Sequence, residues 1–222
     1  MLKSLYPRVD WDRVRVVGID MDGTLYDEAE FIAQVYRPIA AIIARSAGSP
    51  AEPIHAALLR RWLEKGSSYD RIFDEALAAR GVIDLAARHA IDECLAAFRG
   101  FTPSLTLPAR VRTILDAMIE QYPLFLISDG SVGLQQRKFA ALGLGRWFEP
   151  ANVGFSATHG AGYDKPDTRI LGQIRVLHEG SAPADVVFFG DREVDARFAA
   201  NAGFHFVRVH CMCRLAGGEP GE

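Results

Sequence analysis

The sequence predicts an α/β protein: a Rossmann-like parallel sheet core into which an all-helical block is inserted. Three observations carry this. Short, continuously apolar runs at residues 16–19, 124–127 and 186–189 read as buried parallel strands. Helix-period segments separate them after residue 105, the alternation that builds a parallel sheet. Between residues 26 and 104 only helical periodicity is found. The expected division is a core of 1–25 with 105–222, and a helical domain of 26–104.

In order, residues 13–19 alternate weakly and then become apolar, ending in Asp20-Met21-Asp22-Gly23-Thr24-Leu25. Phe31, Ile32, Val35, Tyr36, Ile39, Ile42 and Ile43 then share one helical face, with Pro38 expected to kink or break the helix. Ser49-Pro50-Ala51-Glu52 has the form of a capping box with proline at the first helical position. Its helix carries Ile54, Leu58, Leu59, Trp62 and Leu63. A loop at Gly66-Ser67-Ser68 precedes a third helix with Ile72, Phe73, Ala76 and Leu77, stopped by Gly81. A fourth, capped by Asp84, turns Ile91, Cys94, Leu95 and Phe98 inward.

Pro108 starts the next helix, with Val111, Ile114, Leu115, Met118 and Ile119 on one stripe. After the strand at 124–127, residues 131–142 are helical and end at Gly143. Residues 153–155 form a short strand. Asp167 is expected to cap a helix bearing Ile170, Leu171, Ile174 and Leu177. The strand at 186–189 leads to a helix around Val194, Phe198 and Ala199. Residues 204–209 are the last strand. His210-Cys211-Met212-Cys213 reads as a strand end running into a tail, and 217–222 as a frayed terminus.

Composition bounds the function. A chain of 222 residues with 49% hydrophobic and 24% charged residues is ordinary for a soluble protein. A net charge of −3 gives no basic footprint for nucleic acid. No apolar run approaches the ~18 residues of a membrane span. Three cysteines and no signal core suggest a reducing, cytoplasmic setting. Monomer and homodimer are not distinguished.

The polar strand ends carry the chemistry. In open α/β sheets ligands bind beyond the carboxyl ends of the strands. Asp20 and Asp22 stand at one such end, and two carboxylates so close repel unless a cation offsets them. Ser128-Asp129-Gly130 follows the second strand. Tyr163-Asp164-Lys165-Pro166-Asp167 precedes the expected helix, and Gly190-Asp191-Arg192-Glu193-Val194-Asp195 follows the strand at 186–189. Each has a plain alternative: a turn, a solvated lysine, a helix cap. Four segments bringing polar groups to one sheet edge favour a site.

This pattern resembles the haloacid dehalogenase-like (HAD) hydrolase superfamily. Asp20-Met21-Asp22-Gly23-Thr24 resembles its first motif, Ser128 its second, Lys165 its third, and Gly190-Asp191 with Asp195 its fourth. Arg192-Glu193 departs from the small or polar residues often found there. The insertion resembles the C1 type of cap, expected to roof the site. The resemblance implies a magnesium-dependent phosphatase acting on a small phosphorylated metabolite. Asp20 would be the nucleophile and form an aspartyl-phosphate; Asp22 would be the acid and base. Mg²⁺ would be held by Asp20, the backbone carbonyl of Asp22, Asp191 and Asp195. Ser128, Asp129, Gly130 and Lys165 would bind phosphate, and Thr24 would brace the loop.

Four other readings are weighed. A phosphomutase uses the same residues and would need a bisphosphate activator. Dehalogenases of this scaffold lack the second aspartate. Receiver domains phosphorylate an aspartate on a later strand and are about half as long. A non-catalytic phosphate-binding protein would release no phosphate. Specificity is expected in the helical block, where Tyr69 or Arg71 would reach over the site if their loop is more than an exposed turn.

Overall fold

Gly18 sits at the middle of the sheet, and the strands on either side explain why it is glycine. The computed structural model describes residues 1–214. Strands β1 (Val16–Ile19), β2 (Leu124–Ser128), β3 (Val153–Phe155), β4 (Val186–Gly190) and β5 (His205–His210) are parallel. With β6 (Cys213–Arg214) they form one sheet in the order β3-β2-β1-β4-β5-β6. β6 is antiparallel to β5. Gly18 pairs with Phe125 on β2 and Phe188 on β4, whose ring centroids are 6.1 Å apart. A Cβ on Gly18 would lie 2.2 Å from Phe125 Cζ and 2.6 Å from Phe188 Cδ2. Gly18→Ala is therefore an overpacking change. It should destabilise the protein by about 1–3 kcal/mol, read as a lower midpoint in urea with unchanged slope.

Strands β1, β2 and β4 are buried at every position. One core cluster joins Val16, Phe125, Ile127, Val186 and Phe188 to Phe198 on α8 (Glu193–Ala202) and to Ile170, Ile174 and Val176. Two more helices belong to this part, α6 (Ala109–Ile119) and α7 (Val132–Ala141), and a short turn, α1 (Leu2–Leu5), begins the chain.

The chain separates into two compact units. One is Met1–Glu28 with the chain from Leu105 on; the other is Ala29–Ser104. The second unit holds nearly all of α2 (Glu28–Ala47), and α3 (Ala51–Lys65), α4 (Ile72–Ala78) and α5 (Asp84–Gly100), with no strand among its residues. No helix among the described residues is long and apolar enough to cross a membrane.

Several local expectations are corrected. Of the kink or break expected at Pro38, the break does not occur, since α2 runs on through it. Phe31, Ile32 and Val35 before it, and Ile39 and Ile43 after it, are all buried, and that packing outweighs roughly 3 kcal/mol for the proline. The Ser49 capping box does not form. Pro50 is the cap residue of α3 with no side-chain bond, and the Ser49 Oγ has no partner. Asp84 is the first residue of α5 rather than its cap. The helix expected after Asp167 is two 3-10 turns, Arg169–Gln173 and Arg175–His178. Ile174 between them is extended, and Val176 N–H donates to Asn152 Oδ1 at 3.0 Å instead of continuing a helix. The tail expected after β5 is a tight turn into β6. Residues 217–222 lie outside the described residues.

Candidate active site

β1 is flanked by β2 and β4, so the segments following these three strands meet at one edge of the sheet. Asp20 comes directly after β1 and is buried, and its N–H donates to Phe189 O at 2.9 Å. Thr24 Oγ1 donates to Asp20 Oδ2 at 3.1 Å, which closes the loop on itself. Gly23 within that loop has φ +76°, and a Cβ there would meet Asp191 Oδ2 at 2.2 Å. Both facts require glycine.

The segment after β5 holds the same loop from outside. Cys211 and Met212 have φ 45° and 56°. Their N–H groups donate to Gly23 O (2.9 Å) and Thr24 O (2.8 Å). Tyr6 Oη donates to Met212 O at 2.7 Å and Arg110 Nε to Cys211 O at 3.3 Å. The turn thus braces the loop that carries both aspartates.

Lys165 is the cation of the site. Its side chain is fully buried, and its Nζ donates to Asp20 Oδ1 and to Asp195 Oδ1, each at 2.5 Å. Asp195 is in the first turn of α8, and its Oδ2 accepts the Arg192 N–H at 3.0 Å. Asp20, Asp191 and Asp195 can each offer an oxygen within 4.8 Å of the others. Asp191 Oδ1 is buried with no hydrogen-bond partner. Arg192 adds a second positive charge, with its Nε 3.9 Å from Asp191 Oδ1.

The charges do not balance. Burial drives the Asp20 carboxyl well above its ordinary range; Lys165 opposes this most, Asp195 and Asp191 add to it, and Arg192 relieves it least. Asp191 is pushed up to about 7, by burial first and then by Asp195. Burial disfavours the Lys165 ammonium, yet Asp195, Asp20 and Asp129 hold its pKa above the usual lysine range. Asp20, Asp191, Asp195 and Asp129 face two cations, Lys165 and Arg192, which leaves an excess of negative charge. A cluster of carboxylate oxygens with an unpartnered lone pair fits a hard divalent ion such as Mg²⁺.

Ser128 ends β2, and its buried Oγ has no partner. It is available to a ligand oxygen. Gly130 is exposed, with φ +113°. Asp129, expected to bind phosphate, turns its carboxylate to Lys165: Oδ1 accepts the Lys165 N–H at 3.2 Å and Oδ2 lies 4.0 Å from Nζ. Burial raises its pKa more than Lys165 lowers it. Its side chain braces Lys165.

Asp22 is not among the acids gathered around Lys165. Its carboxylate accepts from Lys138 Nζ at 2.7 Å and Gln135 Nε2 at 2.8 Å, and from Tyr26 Oη in a short bond. Burial raises the pKa of the Asp22 carboxyl, but Lys138 and the three donors outweigh it, so the net shift is down. Lys138, Gln135 and Tyr26 were not anticipated. Leu134, Gln135 and Lys138 share the buried face of α7, where two polar residues are out of place, and only the burial reveals this. In the helical unit, the Tyr69 hydroxyl donates to Glu75, which Arg61 also holds at 2.7 and 2.9 Å.

A model of the haloacid dehalogenase-like hydrolases matches residues 14–203. The chain belongs to that family. No curated protein matches it. Among solved structures, a HAD-superfamily hydrolase of subfamily IA, variant 1, from Geobacter sulfurreducens is 23% identical, with 88% of this chain and 87% of that chain covered and a TM-score of 0.65. A protein assigned as a β-phosphoglucomutase from Thermotoga maritima is 22% identical over 93% and 89%, with a TM-score of 0.63. One assigned as a phosphoglycolate phosphatase from Lactobacillus plantarum is 16% identical over 88% and 86%, with a TM-score of 0.58. At these identities the likeness to this HAD chain is one of fold.

Proposed function

We propose that this HAD hydrolase is a magnesium-dependent phosphatase that hydrolyses a small phosphate monoester through an aspartyl-phosphate. The observation that carries the reading is the second aspartate. Asp22 lies two residues after Asp20 at the same sheet edge, and its carboxylate is buried and held by three donors. Cleaving a carbon–halogen bond releases halide, which needs no proton. An alkoxide leaving from phosphorus does need one, and Asp22 is the acid on hand.

In the first step an Asp20 oxygen bonds to phosphorus, and the ester oxygen leaves with the bonding pair and takes a proton from Asp22. In the second, water gives a proton to Asp22 as it attacks the phosphorus of the aspartyl-phosphate, which frees Asp20 and inorganic phosphate. Lys165 holds Asp20 and offsets charge on the transferring group. The Ser128 hydroxyl donates to a phosphoryl oxygen. Asp20, Asp191, Asp195 and the backbone carbonyl of Asp22 would hold the Mg²⁺, which when bound supplies the charge that lets an anionic nucleophile approach an anionic phosphate. To act as the acid Asp22 must first carry a proton.

Asp22→Asn tests this reading. The value of kcat/KM reports formation of the phosphoenzyme, where only the leaving group needs the proton. For an alkyl phosphate it should fall by about 10²–10⁴-fold, and for p-nitrophenyl phosphate by far less. Equal losses on both esters would contradict the acid role.

A further inference from the structure

Two of the side chains on Asp22 have no task in the reaction just described, and their placement is costly. Lys138 and Gln135 are 3% and 4% exposed and lie one turn apart on α7, on the face that also buries Leu134. A buried ammonium costs several kcal/mol unless it is well paired. A lysine that only filled space would be replaced to advantage by methionine or leucine.

The bonds are distributed unevenly over the carboxylate. Among the described residues, Oδ1 accepts from both Lys138 and Tyr26 and Oδ2 accepts from Gln135. A carboxylate has about four lone-pair directions, two per oxygen. Oδ1 is therefore filled, and Oδ2 keeps one direction open. Gln135 Nε2 also donates to Asp129 O, so one amide ties Asp22 to the loop that follows Ser128.

We propose that Lys138 and Gln135 are positioning residues for Asp22, and that they present Oδ2 as the oxygen that exchanges the proton. The inference rests on the phosphatase reading. In the first step the Asp22 Oδ2–H bond breaks and its proton goes to the ester oxygen as that oxygen leaves phosphorus with the bonding pair. In the second, a water O–H bond breaks and its proton returns to Oδ2. Without the clamp the carboxylate rotates, and proton transfer needs heavy atoms within hydrogen-bond reach. Asp20 is not disturbed, because its side-chain partners are Lys165 and Thr24.

The test is Lys138→Met, assayed in magnesium with p-nitrophenyl phosphate and with an alkyl phosphate such as glycerol phosphate. On the alkyl ester kcat/KM should fall by about 100-fold. On p-nitrophenyl phosphate kcat and KM should fall together, leaving kcat/KM nearly unchanged, because the second step is slowed and phosphoenzyme accumulates. A merely structural lysine would not produce this split. Should Lys138→Met not fold, Gln135→Leu keeps the ion pair and should show the same split at about 10-fold. Equal falls in kcat/KM on both esters, or no fall on the alkyl ester, overturn the inference. The wild type separates the two readings. If it releases no phosphate from either ester, the phosphatase reading and this inference both fail. With normal wild-type turnover, a missing split removes the clamp alone.

Discussion

Asp20→Asn should abolish phosphate release while leaving the protein folded. The amide cannot form the acyl-phosphate, and loss of a nucleophile costs at least about 10⁴-fold in kcat. The fold should survive for an electrostatic reason. Asp20 is buried beside Asp191 and Asp195, and burial first, then these two acids, push its carboxyl towards the neutral form against the pull of Lys165. An uncharged isostere removes a repelling charge from a crowded cluster, and Lys165 keeps Asp195 at 2.5 Å. A melting curve within a few degrees of wild type, beside a complete loss of turnover, is the expected pair of results. Residual activity near the wild-type level would remove Asp20 from the reaction.

Lys165→Met should do more damage, to stability as well as to activity. The ammonium neutralises two carboxylates at once, Asp20 and Asp195, in a site where its own side chain is fully buried. Removing one partner of a buried ion pair costs about 3–5 kcal/mol, because the remaining charge is left without compensation. For a chain of this size that lowers the melting temperature by on the order of 10 °C. Magnesium should restore part of the loss, since it offers a second way to offset the same carboxylates. Turnover should be lost even in excess magnesium, because the transferring group then lacks its fixed cation. A melting temperature unchanged from wild type in a chelator would contradict the charge balance drawn for this cluster.

The strands of the core were legible because a buried parallel strand is apolar at every position, as residues 16–19, 124–127 and 186–189 are. The clustered acids were legible for a related reason: Asp20 and Asp191 follow apolar runs, where solvent exposure does not explain them, whereas Lys165 sits in a polar, glycine-rich stretch and stood out only beside the other polar strand ends. The second half of the site was hidden by its helix. Gln135 and Lys138 look like ordinary surface residues until α7 is rotated so that Leu134 faces inward, which brings both polar groups with it. The turn at Cys211 and Met212 was hidden because its residues are not those that favour positive φ; asparagine and glycine mark such turns, and cysteine and methionine do not. Its role depends on hydrogen bonds from its backbone to Gly23 and Thr24, which side-chain identity does not reveal. The stretch after Asp167 has apolar spacing that suits a helix, yet Asn152, distant in sequence, captures the N–H of Val176 and the chain bends at Ile174.

The most direct measurement is to mix the enzyme with p-nitrophenyl phosphate in magnesium, quench in acid within one turnover, and map the phosphoryl group by peptide mass spectrometry. One phosphorylated peptide is expected, the one containing Asp20, and none in Asp20→Asn. Phosphate released with no covalent adduct, or an adduct on any other residue, would contradict Asp20 as the nucleophile.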